Sequence, residues 1–185
     1  MKIRAFIALD VPEKSIADIL KIRDEVAGSS VSVKWEPKEK LHLTLKFLGD
    51  IDSELIGNYS RTLENILKEY EPFELSFSEF GLFRRGQELK ILWLGLKENT
   101  SLSSLVGDIE NQFIEFGFPK EERKFKSHIT LLRFRGYEDS KKIVSLTEVK
   151  LPELKFKSDS VTLYESRLMP GGSVYRSLKK LYLKN

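Results

Sequence analysis

Leu41-His42-Leu43-Thr44-Leu45-Lys46-Phe47-Leu48-Gly49 sets Leu41, Leu43, Leu45 and Phe47 in alternation with His42, Thr44 and Lys46. A period of two is the pattern of a strand with one face against a core and the other open. Ser127-His128-Ile129-Thr130-Leu131-Leu132-Arg133 repeats the order His, aliphatic, Thr, Leu, and the chain has no other histidine. These two strands, each carrying a His and a Thr on the face away from its apolar stripe, are the element around which the rest of the chain is read.

Residues i and i+2 of a strand project from one face roughly 6.5 Å apart, so one phosphate can meet both an imidazole and a hydroxyl. Histidine, with an ordinary pKa of about 6.5, exchanges a proton near neutral pH, and two of them facing a phosphate provide a general acid and a general base. A threonine hydroxyl can donate to a non-bridging oxygen where charge develops in the transition state. One His on a strand is ordinarily structural. Two, each followed two places on by Thr, make a candidate phosphoryl-transfer site without a metal.

Around these motifs the patterning alternates strands with helices. Ile3–Leu9 reads as a buried strand, and a helix capped by Asp10, with Pro12 in its first turn, should run to about Ala27 and stop at Gly28. Val31–Trp35 and Leu41–Leu48 read as strands, Ser53–Tyr70 as a helix behind the cap-like Asp52-Ser53, and residues 72–78 and Leu89–Leu96 as strands flanking the basic turn Arg84-Arg85-Gly86-Gln87. Thr100 or Ser101 should cap a third helix that ends at Gly117, and a short helix should lie near Ser140–Leu146. Strands Ser160–Leu168 and about Val174–Leu183 close the chain around the loop 169–173.

Pro72-Phe73-Glu74-Leu75-Ser76-Phe77-Ser78 follows the first motif and its helix much as Pro152-Glu153-Leu154-Lys155-Phe156-Lys157-Ser158 follows the second. A duplicated strand-helix-strand unit predicts two pseudo-symmetric lobes with a cleft between them. The expected fold is therefore one α+β domain over residues 1–185, with two mainly antiparallel sheets flanked by helices.

At 185 residues the chain suffices for one domain with a sizeable core, and its 41% hydrophobic and 32% charged residues suit a globular protein. No stretch approaches the roughly 18 apolar residues of a spanning helix. The apolar run Ile3 to Leu9 is too short and too charged for a signal peptide, so a cytoplasmic location and no membrane partner are expected. With no cysteine there is no disulfide or thiolate metal site, and with both histidines already employed, neither a metal nor another cofactor is expected. Residues 1–117 hold 15 Lys and Arg against 20 Asp and Glu, whereas residues 118–185 hold 16 against 8. That asymmetry points to a polyanionic partner near the C-terminal half, with ordinary solvated surface as the alternative for scattered charges.

His42-Leu43-Thr44-Leu45 with Phe47-Leu48-Gly49, and His128-Ile129-Thr130-Leu131 with Arg133, resemble the duplicated H-x-T-x signature of the 2H phosphoesterase superfamily. Ile3-Arg4-Ala5-Phe6-Ile7-Ala8-Leu9, Lys34-Trp35 and Glu165-Ser166-Arg167-Leu168 are similar, within it, to the RNA 2′,3′-cyclic phosphodiesterase group, also called 2′-5′ RNA ligases. The resemblance covers nearly the whole chain. It implies hydrolysis of a 2′,3′-cyclic phosphate at an RNA 3′ end or on a nucleotide, by a chain expected to act as a monomer. Following the family, His42 is the proton donor, His128 the acceptor, and Thr44 and Thr130 bind the phosphate. Ligation by the reverse chemistry and a non-catalytic nucleotide- or RNA-binding module are the other readings, and the intact His and Thr of both motifs argue against the last.

The resemblance also sets Arg133 against the phosphate, which suits its planar guanidinium. Strict alternation objects, placing Arg133 on the core face with Ile129 and Leu131. One inserted residue near Leu131-Leu132 would turn Leu132 and Phe134 inward and Arg133 and Arg135 toward the cleft; otherwise Arg133 frays at the strand end. Phe6, Trp35, Phe47 and Tyr164 are aromatics near strand ends that could stack on a base; core packing is the competing reading, stronger for Phe6 and Phe47 on their apolar stripes, which leaves Trp35, flanked by Lys34 and Glu36, the better stacking candidate.

Overall fold

A computed structural model of the chain describes residues 1–28 and 33–184. Eight strands are present: β1 (Lys2–Leu9), β2 (Leu43–Asp52), β3 (Phe73–Arg85), β4 (Glu88–Leu96), β5 (His128–Arg133), β6 (Lys155–Ser158), β7 (Ser160–Met169) and β8 (Gly172–Tyr182). The helices are α1 (Glu13–Ala27), α2 (Ile56–Leu67), α3 (Thr100–Gln112) and the short α4 (Ser140–Ser145). All four helices and most of the strands fall where the sequence patterning sets them. The expected strand Val31–Trp35 lies partly outside the described residues, and what is described of it is a single bridge from Trp35 to Leu132.

The sheet departs from the expected pair. The eight strands form one antiparallel sheet in the order β6-β3-β4-β5-β2-β1-β7-β8. The reason lies in the crossovers. β3, which follows the first motif, pairs with β4 beside the second motif; β7, which follows the second, pairs with β1 beside the first. Each half of the chain thus donates a strand to the other, so the lobes are not built from consecutive halves. The two H-x-T strands meet at the centre of the sheet, where Leu43 stands opposite Ile129.

Helix ends show where local signals yield to tertiary contacts. Gly28 (φ 65°) ends α1 as expected, its N–H donating to the Asp24 carbonyl at 3.0 Å. Asp10 caps nothing: its carboxylate accepts from Thr162 Oγ1 at 2.7 Å and Tyr164 Oη at 2.9 Å, and Pro12 occupies the cap position. Asn99, not Thr100 or Ser101, caps α3 by accepting from the Leu102 N–H at 2.9 Å. The expected loop 169–173 is a tight turn between β7 and β8, whose ladder continues to Met169 and Gly172.

The core is one cluster joining Leu9, Leu43, Leu63, Leu67, Ile109, Phe113, Ile129 and Leu163. It fills the sheet face that α2 and α3 cover, which leaves the opposite face of β2 and β5 for the histidines. Among the described residues no helix is long and apolar enough to cross a membrane.

Candidate active site

Both motif strands carry a bulge at the same motif position. Thr130 pairs with Trp93 and Leu132 with Leu92, so Leu131 is the inserted residue of β5. Leu131 and Leu132 are consequently both buried, and Arg133 turns to the histidine face. The sequence predicts this bulge. It does not predict its twin in β2, where Thr44 pairs with Ala8 and Lys46 with Ile7, leaving Leu45 as the extra residue. Clean alternation therefore ends at Leu45: Lys46 turns inward and Phe47 outward, 70% exposed. Phe47 and Arg133, five places after their histidines, hold equivalent positions on the two strands.

The buried Lys46 ammonium meets Glu110 of α3 at 2.5 Å and the Pro119 carbonyl at 3.0 Å, which satisfies the charge that the bulge takes out of water.

The resulting cleft has a volume of about 270 Å³. His42, Thr44, His128, Thr130, Arg133 and Phe47 line it, joined by Phe6, Phe83, Tyr175, Glu36, Lys40 and Ile91. Continuing the antiparallel register from Leu43 and Ile129 sets each histidine across from the threonine of the other motif, His42 by Thr130 and His128 by Thr44. The arrangement converges two hydroxyls, two imidazoles and a guanidinium on one space.

His42 lies in an aromatic sandwich. Its ring stacks with Phe6 (centroids 5.0 Å, 27°) and Tyr164 (5.7 Å, 25°), with Tyr175 edge-on at 5.3 Å. Burial, helped by the positive charge of Arg133 and by His128, pulls its pKa from 6.5 to about 4. His128 is also held below the ordinary value, chiefly by burial, against which its bond to the Lys126 carbonyl pulls upward. That bond, 2.7 Å from Nδ1, places the proton on Nδ1 and leaves Nε2 with a lone pair. Phe83 (4.8 Å) and Trp93 (6.3 Å) abut the His128 ring edge-on. Trp93 packs against Gly81, where a Cβ would overlap its indole.

Two of the aromatics singled out in the sequence do not line the cleft. Trp35 packs half-buried against the core with the Arg23 guanidinium 5.2 Å above its ring. Its segment adds to β5, with the Glu36 N–H donating to the Leu131 carbonyl at 2.8 Å, so alternation sends Trp35 to one side and Glu36 into the cleft. Tyr164 backs His42 and Phe6, with its hydroxyl fixed on Asp10. Sequence reasoning passed over Glu36, Lys40, Phe83 and Tyr175. For Glu36 and Lys40, nearness to His42 was the available signal; Phe83 and Tyr175 come from strands far away in sequence. Among the described residues no group of three or more His, Cys, Asp or Glu gathers where it could hold a metal ion.

Comparison with known proteins bears on this geometry. A family model described as LigT like Phosphoesterase matches residues 9–93 and again 94–175, one match for each H-x-T strand. RNA 2′,3′-cyclic phosphodiesterase of Methanothermobacter thermautotrophicus is 30% identical over 97% of this chain and 98% of its own. The protein of that name from Thermotoga maritima is 30% identical over 95% and 92%. Among solved structures, E. coli LigT complexed with 3′-AMP superposes with a TM-score of 0.78 at 25% identity, covering all of both chains. TT0787 of Thermus thermophilus shares the fold at a TM-score of 0.79 and 24% identity, over 98% of each chain. Two matches to one model, each spanning a bulged H-x-T strand of the same cleft, leave one conclusion: the chain belongs to the LigT-like phosphoesterase family.

Proposed function

We propose that the protein hydrolyses the 2′,3′-cyclic phosphate at an RNA 3′ end to a 2′-phosphomonoester, by acid and base catalysis from its two histidines. The observation that carries this reading is the convergence of His42, Thr44, His128, Thr130 and Arg133 on one cleft. The names of the relatives and the nucleotide in E. coli LigT agree with it in substrate class.

In the proposed reaction His128 Nε2 takes a proton from water as the water oxygen bonds to phosphorus. The bond from phosphorus to the 3′ oxygen breaks on the opposite side, and His42 protonates that oxygen as it leaves, in line with the attack. Thr44, Thr130 and Arg133 meet the non-bridging oxygens, where the transition state gathers charge. The low basicity of His42 in the free protein makes it a strong acid once charged. Binding of the phosphate anion raises that basicity, since a negative group beside an imidazole stabilises its protonated form, and His42 takes up from solvent the proton it later donates. Phe47, exposed at the cleft edge, offers its ring to the terminal base. The matching bulges and the double family match support descent of the two motif units from one duplicated unit.

The test is incubation of the pure protein, in EDTA, with an oligonucleotide ending in a 2′,3′-cyclic phosphate, followed by identification of the product. A 2′-phosphate is expected. Turnover that vanishes in EDTA and returns with added metal sinks the metal-free mechanism, and joining to a 5′-hydroxyl strand in place of hydrolysis favours ligation.

A further inference from the structure

Trp93 is buried, at 3% exposure, yet it stands outside the core cluster, because its side chain lies on the other face of the sheet. Cross-strand partners share a face, and Trp93 pairs with Thr130 of β5, so the indole leaves β4 on the side of the histidines. Two glycines make room for it there. Gly81 of β3 stands opposite Trp93, and Gly95 of β4 stands opposite His128. The indole lies across both: a Cβ on Gly81 would overlap its six-membered ring, and one on Gly95 would come within 2.9 Å of Cζ3 and 2.7 Å of Ser78 Oγ.

No hydrogen bond holds the indole. Its buried Nε1 has no partner among the described residues, which is destabilising, so shape alone keeps the ring in place and against that cost. What it builds is the wall behind His128. Trp93 packs on Phe83 with centroids 5.4 Å apart, and the two rings abut the imidazole edge-on at 6.3 and 4.8 Å. The Lys126 ammonium covers the indole, 4.0 Å from its centroid, while the carbonyl of the same residue accepts from His128 Nδ1 at 2.7 Å. That carbonyl is itself steadied, since the Leu96 N–H donates to the Ser127 carbonyl at 3.1 Å and Ser127 Oγ to the Leu96 carbonyl at 3.2 Å. The Nδ1 bond fixes one corner of the imidazole and leaves it free to swing about that corner; Trp93 and Phe83 fill the space into which it would swing.

We infer that Trp93, seated on Gly81 and Gly95, is the positioning residue of His128: with Phe83 it closes the space behind the imidazole, so that Nε2 keeps its aim into the cleft. The inference rests on the role proposed above for His128. Reacting atoms tolerate little misplacement, an error of about 1 Å costing up to about 10²-fold, so a ring that never touches the substrate sets the rate through the base it holds.

The experiment compares the wild type with Trp93→Phe, Gly95→Ala and the double variant, in steady-state hydrolysis of a 2′,3′-cyclic mononucleotide and in NMR titration of the two imidazoles. Trp93→Phe shortens the ring that reaches over the glycines and should lower kcat roughly tenfold or more, with KM changed less than about twofold. Burial is the chief cause that holds the His128 pKa below 6.5, so water entering the emptied space should move its titration upward and leave that of His42 in place; Arg133 and Lys126, whose charges also lower it, remain in every variant. Gly95→Ala pushes the indole aside and should reproduce the loss in kcat, yet cost less than about twofold on top of Trp93→Phe, where Cζ3 is gone. A His128 titration unmoved in Trp93→Phe, a loss confined to KM, or losses that simply multiply in the double variant overturn the positioning role. Should Trp93→Phe fail to fold, Gly95→Ala alone decides, and an unchanged kcat there overturns it. If the wild type leaves the cyclic nucleotide intact while the His128 titration still moves in Trp93→Phe, the hold of the indole on the imidazole stands and the proposed reaction falls.

Discussion

Glu36 Oε1 lies 3.4 Å from Arg133 Nε while its other oxygen lies 3.3 Å from Lys40 Nζ, so one largely buried carboxylate holds the two cations of the cleft. Its own backbone is fixed by the N–H bond to the Leu131 carbonyl at the bulge, and the carboxylate therefore aims the guanidinium. Glu36→Gln should lower kcat roughly tenfold, a loss of about 1.4 kcal/mol in orientation, with a smaller change in KM, because the variant also removes a negative charge that repels the phosphate. Steady-state kinetics decide it. A rise in KM alone would make Glu36 a binding group and leave Arg133 self-positioned.

His42→Ala and His128→Ala should each cost about 10²–10⁴-fold in kcat, and Thr44→Ala or Thr130→Ala about 10²–10³-fold, with unchanged far-ultraviolet circular dichroism. The roles separate with a p-nitrophenyl phosphodiester, whose leaving group departs without a proton. His42→Ala should be largely rescued on it and His128→Ala should not. The opposite pattern reverses the assignment of donor and acceptor.

The two imidazoles can be titrated separately by NMR, since the chain has only two. His42 should titrate near pH 4 in the free protein, and inorganic phosphate should move it upward. It follows that the pH optimum of kcat, set in the complex, lies above that of kcat/KM, set in the free protein. Coincident optima would mean that the phosphate does not charge His42. Stability follows the same group. Folding lowers its pKa below the unfolded 6.5, so the unfolded chain binds more protons, and stability is lost as pH falls from about 6.5 toward 4. The loss attributable to His42 is roughly 3 kcal/mol, read as the difference between wild type and His42→Gln in urea unfolding at the two pH values.

Lys46 and Glu110 form the ion pair that the β2 bulge buries, with side chains 4% and 15% exposed. Removing the carboxylate alone strands an ammonium in the core, so Glu110→Ala should cost about 3–5 kcal/mol, whereas Lys46→Met, which leaves the more accessible partner, should cost clearly less. Urea unfolding of the two variants provides the comparison. Equal costs would mean that water reaches Lys46 once its partner is gone.

Much of this was legible in the sequence because it depends on neighbours along the chain. The period-two strands, the 3.6-period helices, Gly28 at the end of α1 and the two H-x-T motifs are local patterns, and the structure places them close to where the patterns set them. Even the β5 bulge was readable, since Leu131-Leu132 cannot both face the core on a regular strand. The β2 bulge was not. Leu45-Lys46-Phe47 satisfies alternation as written, and only Glu110 arriving from α3 makes an inward Lys46 tolerable and so turns Phe47 to the cleft. Asp10, a good helix cap by residue type, went instead to Thr162 and Tyr164, more than 150 positions away. One sheet in place of two has the same origin, because strand exchange between the halves of the chain depends on which edges meet in space, and no local period records that. The sequence determined which residues are the candidates for the chemistry, through the short-range geometry of a strand; the tertiary structure decided which of them share a cleft, through long-range pairing and the satisfaction of buried charge.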